Sequence, residues 1–130
     1  MVPAAVGLQM KVSEAHIQQA VVNFLEIDGW RPIRMEQNFN QRKMKVVGEK
    51  GMPDYLFLRY TLTSPGGDNP LRICEHIWIE FKAPTKKPRP EQEHWHEWER
   101  KMGALVMVVD DYDAFRVFYI KAGLARRIKA

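Results

Sequence analysis

Between residues 76 and 109 the chain reads as strand, helix, strand. HIWIEFKAP, residues 76–84, alternates its side chains between two faces as a β-strand does. A basic connection punctuated by prolines, PTKKPRP, leads to Pro90, well placed as the first residue of a helix that stops at Gly103. The apolar run Ala104–Val109 then predicts a fully buried strand, closed by Asp110 and Asp111. A strand reached from another through a helical crossover suggests parallel pairing of the two.

The remaining elements fit around this unit. A periodic segment from Ser13 to Asp28 predicts a helix with Ser13 as N-cap, Gly29 as stop and an apolar stripe of Ile17, Ala20, Val21, Phe24 and Leu25. Pro32 to Phe39 reads as an irregular strand followed by a basic connection. GMPD, residues 51–54, forms a turn and opens a strand from Asp54 to about Tyr60. The turn-rich loop 63–70 returns the chain into a strand over Arg72–Lys82, so the two should pair as a long hairpin. In the helix after Pro90, Glu91, Trp95, Trp98 and Met102 share a stripe, and the helix is expected to pack by its tryptophans. Asp113 is expected to cap a last helix bearing Phe115, Phe118 and Ala122 and ending at Gly123. The order helix, three strands, helix, strand, helix marks a layered α/β (α+β) domain. At 130 residues the chain is one domain, spanning 13–123, with a flexible tail over 1–12 and a basic tail over 124–130.

A hydrophobic fraction of 45% with 28% charged residues is ordinary for a soluble protein, and the longest apolar run is far too short to cross a bilayer. The N-terminal MVPAAVGLQM has no basic residue ahead of its apolar part, so it does not read as a secretory signal, and a cytoplasmic location with no membrane partner is expected. The one cysteine, Cys74, can form no intramolecular disulfide and anchors no multi-cysteine zinc site; it is expected to be a buried small hydrophobe. A net charge of +4 favours an anionic partner. Basic residues gather at Arg42, Lys43, Lys45 and Lys50, at Lys86, Lys87 and Arg89, and at Arg126, Arg127 and Lys129. Each cluster suits phosphate contacts, or else simply a solvated loop.

Glu80 and Lys82 stand in the middle of the 72–82 strand, on the face opposite Ile77, Ile79 and Phe81. A solvated face with a weak ion pair accounts for two such charges alone. Asp54, at the head of the partner strand, can come close to both in the hairpin, however. Glu14 falls near the line through Ile17, Val21 and Leu25, at the N-terminal end of the first helix; it is either a further carboxylate for the same place or a first-turn acid answering the helix dipole. Carboxylates crowded together repel unless protons or a cation intervene, and a hard divalent ion prefers such oxygens. HWHEWE, by contrast, makes a poor zinc site. His94 and His96 lie about 200° apart on a helix, and HExxH is absent, so both are expected at the surface or at best on phosphate.

The acid of the first helix, GMPD at a strand start and IEFK in the next strand together resemble the PD-(D/E)-x-K nuclease superfamily. More narrowly, KGMPDYLFL with WIEFKAPTKKPRPEQEHWHEWERKMGALVMVVDD is similar to the virus-type replication-repair nuclease domain, VRR-NUC, in its stand-alone phage or bacterial form. The resemblance covers roughly residues 13–113 and implies a restriction-endonuclease-like αβββαβ core with a mixed sheet flanked by helices. It implies Asp54 and Glu80 as metal-binding acids, Lys82 as the motif lysine, Glu14 as the helix acid, Gln92 as a further site residue and the Phe81 backbone carbonyl as a ligand. It also implies Mg²⁺, with Mn²⁺ as substitute, branched DNA such as four-way junctions as substrate, and a homodimer. Lys45, Lys50, Lys86, Lys87 and Arg89 are the expected DNA contacts. Flap- or single-strand-directed cutting, or a catalytically silent DNA-binding module, are the alternatives.

Overall fold

A computed structural model describes residues 12–35, 39–40, 45–46, 49–62 and 72–128. Its elements in chain order are α1 (Glu14–Ile27), β1 (Arg31–Arg34), β2 (Phe39–Asn40), β3 (Lys45–Val46), β4 (Tyr55–Leu62), β5 (Arg72–Phe81), α2 (Pro90–Lys101), β6 (Val106–Val109) and α3 (Tyr112–Lys121). Four strands form one mixed sheet in the order β1-β4-β5-β6, while β2 and β3 pair only with each other. The hairpin of β4 and β5 is antiparallel, with Tyr55 opposite Ile79, and β6 lies parallel to β5, with Glu80 beside Val108. The fold is therefore α+β, and the elements of the main sheet with the helices follow the predicted order of helix, three strands, helix, strand, helix, whereas the β2–β3 pair falls where the sequence reading placed the end of an irregular strand and a basic connection. Among the described residues no helix is long and apolar enough to cross a membrane. The expected tail over 1–12 lies almost wholly outside the described residues.

Alternation along β5 sorts the helices onto two faces. Ile77, Ile79 and Phe81 point into the main core with Phe57, Met107 and Val109, closed by Ile17, Val21, Phe24 and Leu25 of α1 and by Phe115 and Tyr119 of α3. On the opposite face Trp78 meets Trp95 of α2 edge to face, ring centroids 5.0 Å apart. The helices cover only the second half of the hairpin. Residues 72–74 are consequently exposed, and Cys74 is an exposed thiol and not the buried hydrophobe expected.

Local signals account for the helix ends, with one correction. The Ser13 hydroxyl accepts a hydrogen bond from the His16 N–H at 3.2 Å. At α3 the cap is Asp111, whose Oδ2 accepts from the Ala114 N–H at 2.8 Å; Asp113 is already inside the first turn. The second correction concerns α2, which does not pack by both tryptophans. It buries Gln92, Trp95 and His96, leaving Trp98 55% exposed and Met102 open. Trp95 belongs to both stripes, but the buried one turns the other way around the helix, toward polar residues whose partner lies on β5.

Far from that helix, Asp28, directly after α1, is completely buried and fully engaged. The backbone N–H groups of Arg126, Arg127 and Ile128 all donate to it, the Tyr119 hydroxyl donates to Oδ2, and Arg59 Nη1 lies 3.1 Å from the same oxygen. Arg59 also donates to Glu75 at 2.5 Å and lies over the Trp30 ring. Burial by itself would push the Asp28 carboxyl up, yet the Tyr119 hydroxyl and the three backbone N–H groups hold it below its ordinary 3.8. Residues 124–128, the start of the expected basic tail, are thereby held against the domain, with Leu124, Ala125 and Ile128 packed on the core.

Candidate functional site

The hairpin register brings Asp54 against the end of β5. The Phe81 N–H donates to Asp54 Oδ2 at 2.9 Å, and the Asp54 carbonyl accepts from the Met35 N–H at 2.8 Å, so this residue is fixed from both neighbouring strands. Trp78 and Lys82 direct their N–H groups to β6, so the odd-numbered residues of β5 direct theirs to β4. In a strand the N–H and C=O of one residue share an edge. The Phe81 carbonyl accordingly faces the Asp54 side.

GMPD needs its glycine for a reason of packing. Gly51 has φ +86, and a Cβ there would lie 2.3 Å from the Glu91 carbonyl oxygen and 3.2 Å from the Trp95 Cβ. The turn that carries Asp54 therefore rests directly on the first turn of α2.

Glu80 is 2% exposed, on the face of β5 that α2 covers. Gln92 Nε2 donates to its Oε1 at 3.1 Å, while the Gln92 Oε1 accepts from the Arg89 N–H at 2.8 Å and so turns the amide the right way. Burial, then the hydrogen bond that the protonated carboxyl gives Asp54, then the charges of Asp54 and Glu14 raise Glu80 to about 9, against the pull of the Lys82 ammonium. Glu80 is thus a neutral acid at pH 7, sharing a proton with its neighbour. Lys82 follows β5 directly, half-buried, its N–H on the Val109 carbonyl at 3.0 Å. Glu14 is exposed, close enough for its charge to act on Glu80. Glu80 thus lies beside Asp54 and Lys82 and accepts from Gln92, with the charge of Glu14 acting on it from outside.

His96 is the residue that sequence reasoning missed. Far from lying at the surface, it is 2% exposed, its Nε2 3.8 Å from Glu80 Oε1 and without a hydrogen-bond partner among the described residues. Burial, Arg100 and Lys82 lower it to about 4, so the imidazole is neutral. The available signal was its spacing, four residues beyond Gln92 and hence on the same helix face. His94 is exposed as expected.

The basic residues lie around this centre. Lys50 is exposed in the turn before GMPD, beside His94 and Trp98; Lys86, Lys87 and Arg89 are exposed between β5 and α2, with Arg89 Nε 3.3 Å from Glu91. Lys45 falls in β3, its side chain outside the described residues. A separate cavity lies between β6 and α3 and is lined mainly by apolar groups.

The donor set suits a hard divalent cation. Two carboxylates forced together away from solvent require protons or a cation between them, and the protein without an ion takes the proton. No ready-made cluster of three or more His, Cys, Asp and Glu residues exists among the described residues. Asp54, Glu80 and the Phe81 carbonyl are what a Mg²⁺-type ion uses when water fills its other positions. No family model and no curated protein matches the chain.

Proposed function

We propose that this protein is a metal-dependent endonuclease of the PD-(D/E)-x-K kind, of the VRR-NUC type, hydrolysing phosphodiester bonds in branched DNA with four-way junctions as the preferred substrate. The observation that carries the reading is the meeting of Asp54 and Glu80 beside Lys82, with Glu80 buried and held neutral by its neighbours. Asp54, Glu80 and the Phe81 carbonyl would hold Mg²⁺ or Mn²⁺. When bound, the ion supplies Lewis-acid polarisation of a phosphate oxygen and acidifies water.

The chain's own groups do the rest. The Phe81 N–H fixes one oxygen of Asp54, and Gln92 fixes one of Glu80, so the free oxygens keep their direction without reorganising. Lys82 extends from the end of β5 and offers an ammonium to orient the attacking water or to balance charge that builds on the phosphate. Lys50, Lys86, Lys87 and Arg89 supply backbone-phosphate contacts around the rim, and setting aside the three proposed site acids leaves 20 basic against 13 acidic residues. A symmetric junction calls for two active sites, hence a homodimer.

The test is cleavage of a four-way junction in Mg²⁺ or Mn²⁺ beside duplex, flap and single-strand controls. The wild type nicks the junction symmetrically; Glu80→Ala binds it but cuts at least about 10³-fold more slowly. Equal cutting by both would sink the assignment, and binding without any cutting by the wild type would leave a DNA-binding module.

A further inference from the structure

We propose that His96 is a positioning residue of this site: with Gln92 it holds one oxygen of Glu80 from the helix side, so that the other oxygen is presented to the ion and to Asp54. The inference rests on the metal-site reading above. Three observations carry it.

The Nε2 atom is buried, aimed at Glu80 Oε1 and unpartnered. Buried polar atoms in folded proteins are almost always satisfied, so an orphan beside the carboxyl of Glu80 calls for a partner. At 3.8 Å it is too far to count as a hydrogen bond and about 0.8 Å beyond an ordinary one. Second, the oxygen it approaches is the one that already accepts from Gln92. Carboxylates that bind metals are themselves held by outer hydrogen bonds of this sort. Third, the helix cannot drift. Trp95, the residue next to His96, is packed on Trp78, and the preceding turn is pressed against Gly51. A change of rotamer or a small swing of Glu80 closes the gap, and the imidazole then donates its Nε2–H to the carboxyl oxygen.

A purely structural histidine would fill the same space, so the experiment separates packing from donation. Mn²⁺ binding is measured by calorimetry on the wild type, His96→Leu, which keeps the bulk, and His96→Gln, which keeps an amide donor. Thermal unfolding in EDTA is followed in parallel. The expected result is Mn²⁺ affinity about tenfold weaker in His96→Leu, most of it restored in His96→Gln, and metal-free midpoints that do not follow that order. Equal affinity in all three overturns the inference while leaving the metal site standing. If His96→Leu does not fold, an affinity loss in His96→Gln as deep as in His96→Ala overturns it equally. An electron spin-echo signal from a nitrogen bonded directly to Mn²⁺ overturns it in favour of ligation. No Mn²⁺ binding by the wild type removes the metal-site reading itself and the inference with it.

Discussion

Two carboxylates in this molecule are almost equally buried and behave in opposite ways. Asp28 is held below its ordinary value, whereas Glu80 is raised to about 9. Burial pushes both upward; the company each keeps decides the outcome. Asp28 receives three backbone N–H groups, a tyrosine hydroxyl and an arginine, so its charge is satisfied and it joins the end of α1 to residues nearly a hundred positions away. Glu80 faces Asp54, feels Glu14, and has one amide and one imidazole that stops short. Acids left incompletely satisfied are what the proposed cation site would need. A structural joint has no such requirement.

The contrast is open to attack, most forcefully at the joint. Asp28→Ala removes one of the two carboxylates that Arg59 meets and leaves the N–H groups of Arg126, Arg127 and Ile128 without their acceptor, which should cost about 3–5 kcal/mol in urea unfolding; a loss under 1 kcal/mol would show the cluster to be ornamental. Next, Gly51→Ala combines a disfavoured backbone angle with a collision against α2 and should cost about 1–3 kcal/mol. Gly103→Ala is the control, since its φ of +97 is similar but no atom lies within 4 Å of the added methyl. Comparable losses in the two would remove the packing argument.

The two acids also predict opposite slopes with pH in EDTA. The stability that Asp28 contributes is present above its unfolded value of 3.8 and is lost as pH falls through its lower folded value. Glu80 contributes fully below 4.5, and its share drains away as pH rises toward 9, because the folded form binds the extra proton through that window. Wild-type stability measured by denaturant at several pH values should therefore decline on the alkaline side. The smallest effect is expected from Glu80→Gln, an amide in place of a neutral acid. Near pH 4.5 it should change stability by less than about 1 kcal/mol and should flatten the alkaline slope, so the two proteins diverge as pH rises; an unchanged slope would mean that another group titrates there.

The parts of this architecture that local chemistry dictates could be read from the chain. Alternation in β5, the proline that opens α2, the Ser13 cap and the hairpin loop each act over a few residues, and the hairpin reading brought Asp54, Glu80 and Lys82 together, while Gln92 was indicated only by the resemblance. The joint at Asp28 could not be read in the same way. Its partners are Arg59, Glu75, Tyr119 and three backbone N–H groups, and backbone donors leave no mark on residue type. Asp28 before Gly29 looked only like the end of a helix. His96 was misjudged because the tryptophans drew the stripe of α2 toward Trp98, when the burial was set by a polar residue on the adjacent strand. Cys74 was misplaced because the sequence does not say how far along a hairpin the helices reach.

The borders of the main sheet carry a last consequence. Met35 donates to Asp54, so the odd-numbered residues of β1 turn their donors inward and Pro32, which has no N–H, occupies the outer rim between two arginines. At the far border β6 is four residues long and runs into Asp110 and Asp111. Among the described residues each margin is thus short or interrupted, by Pro32 at one border and by the two acids after β6 at the other, which blunts the template on which strands of separate molecules zip together.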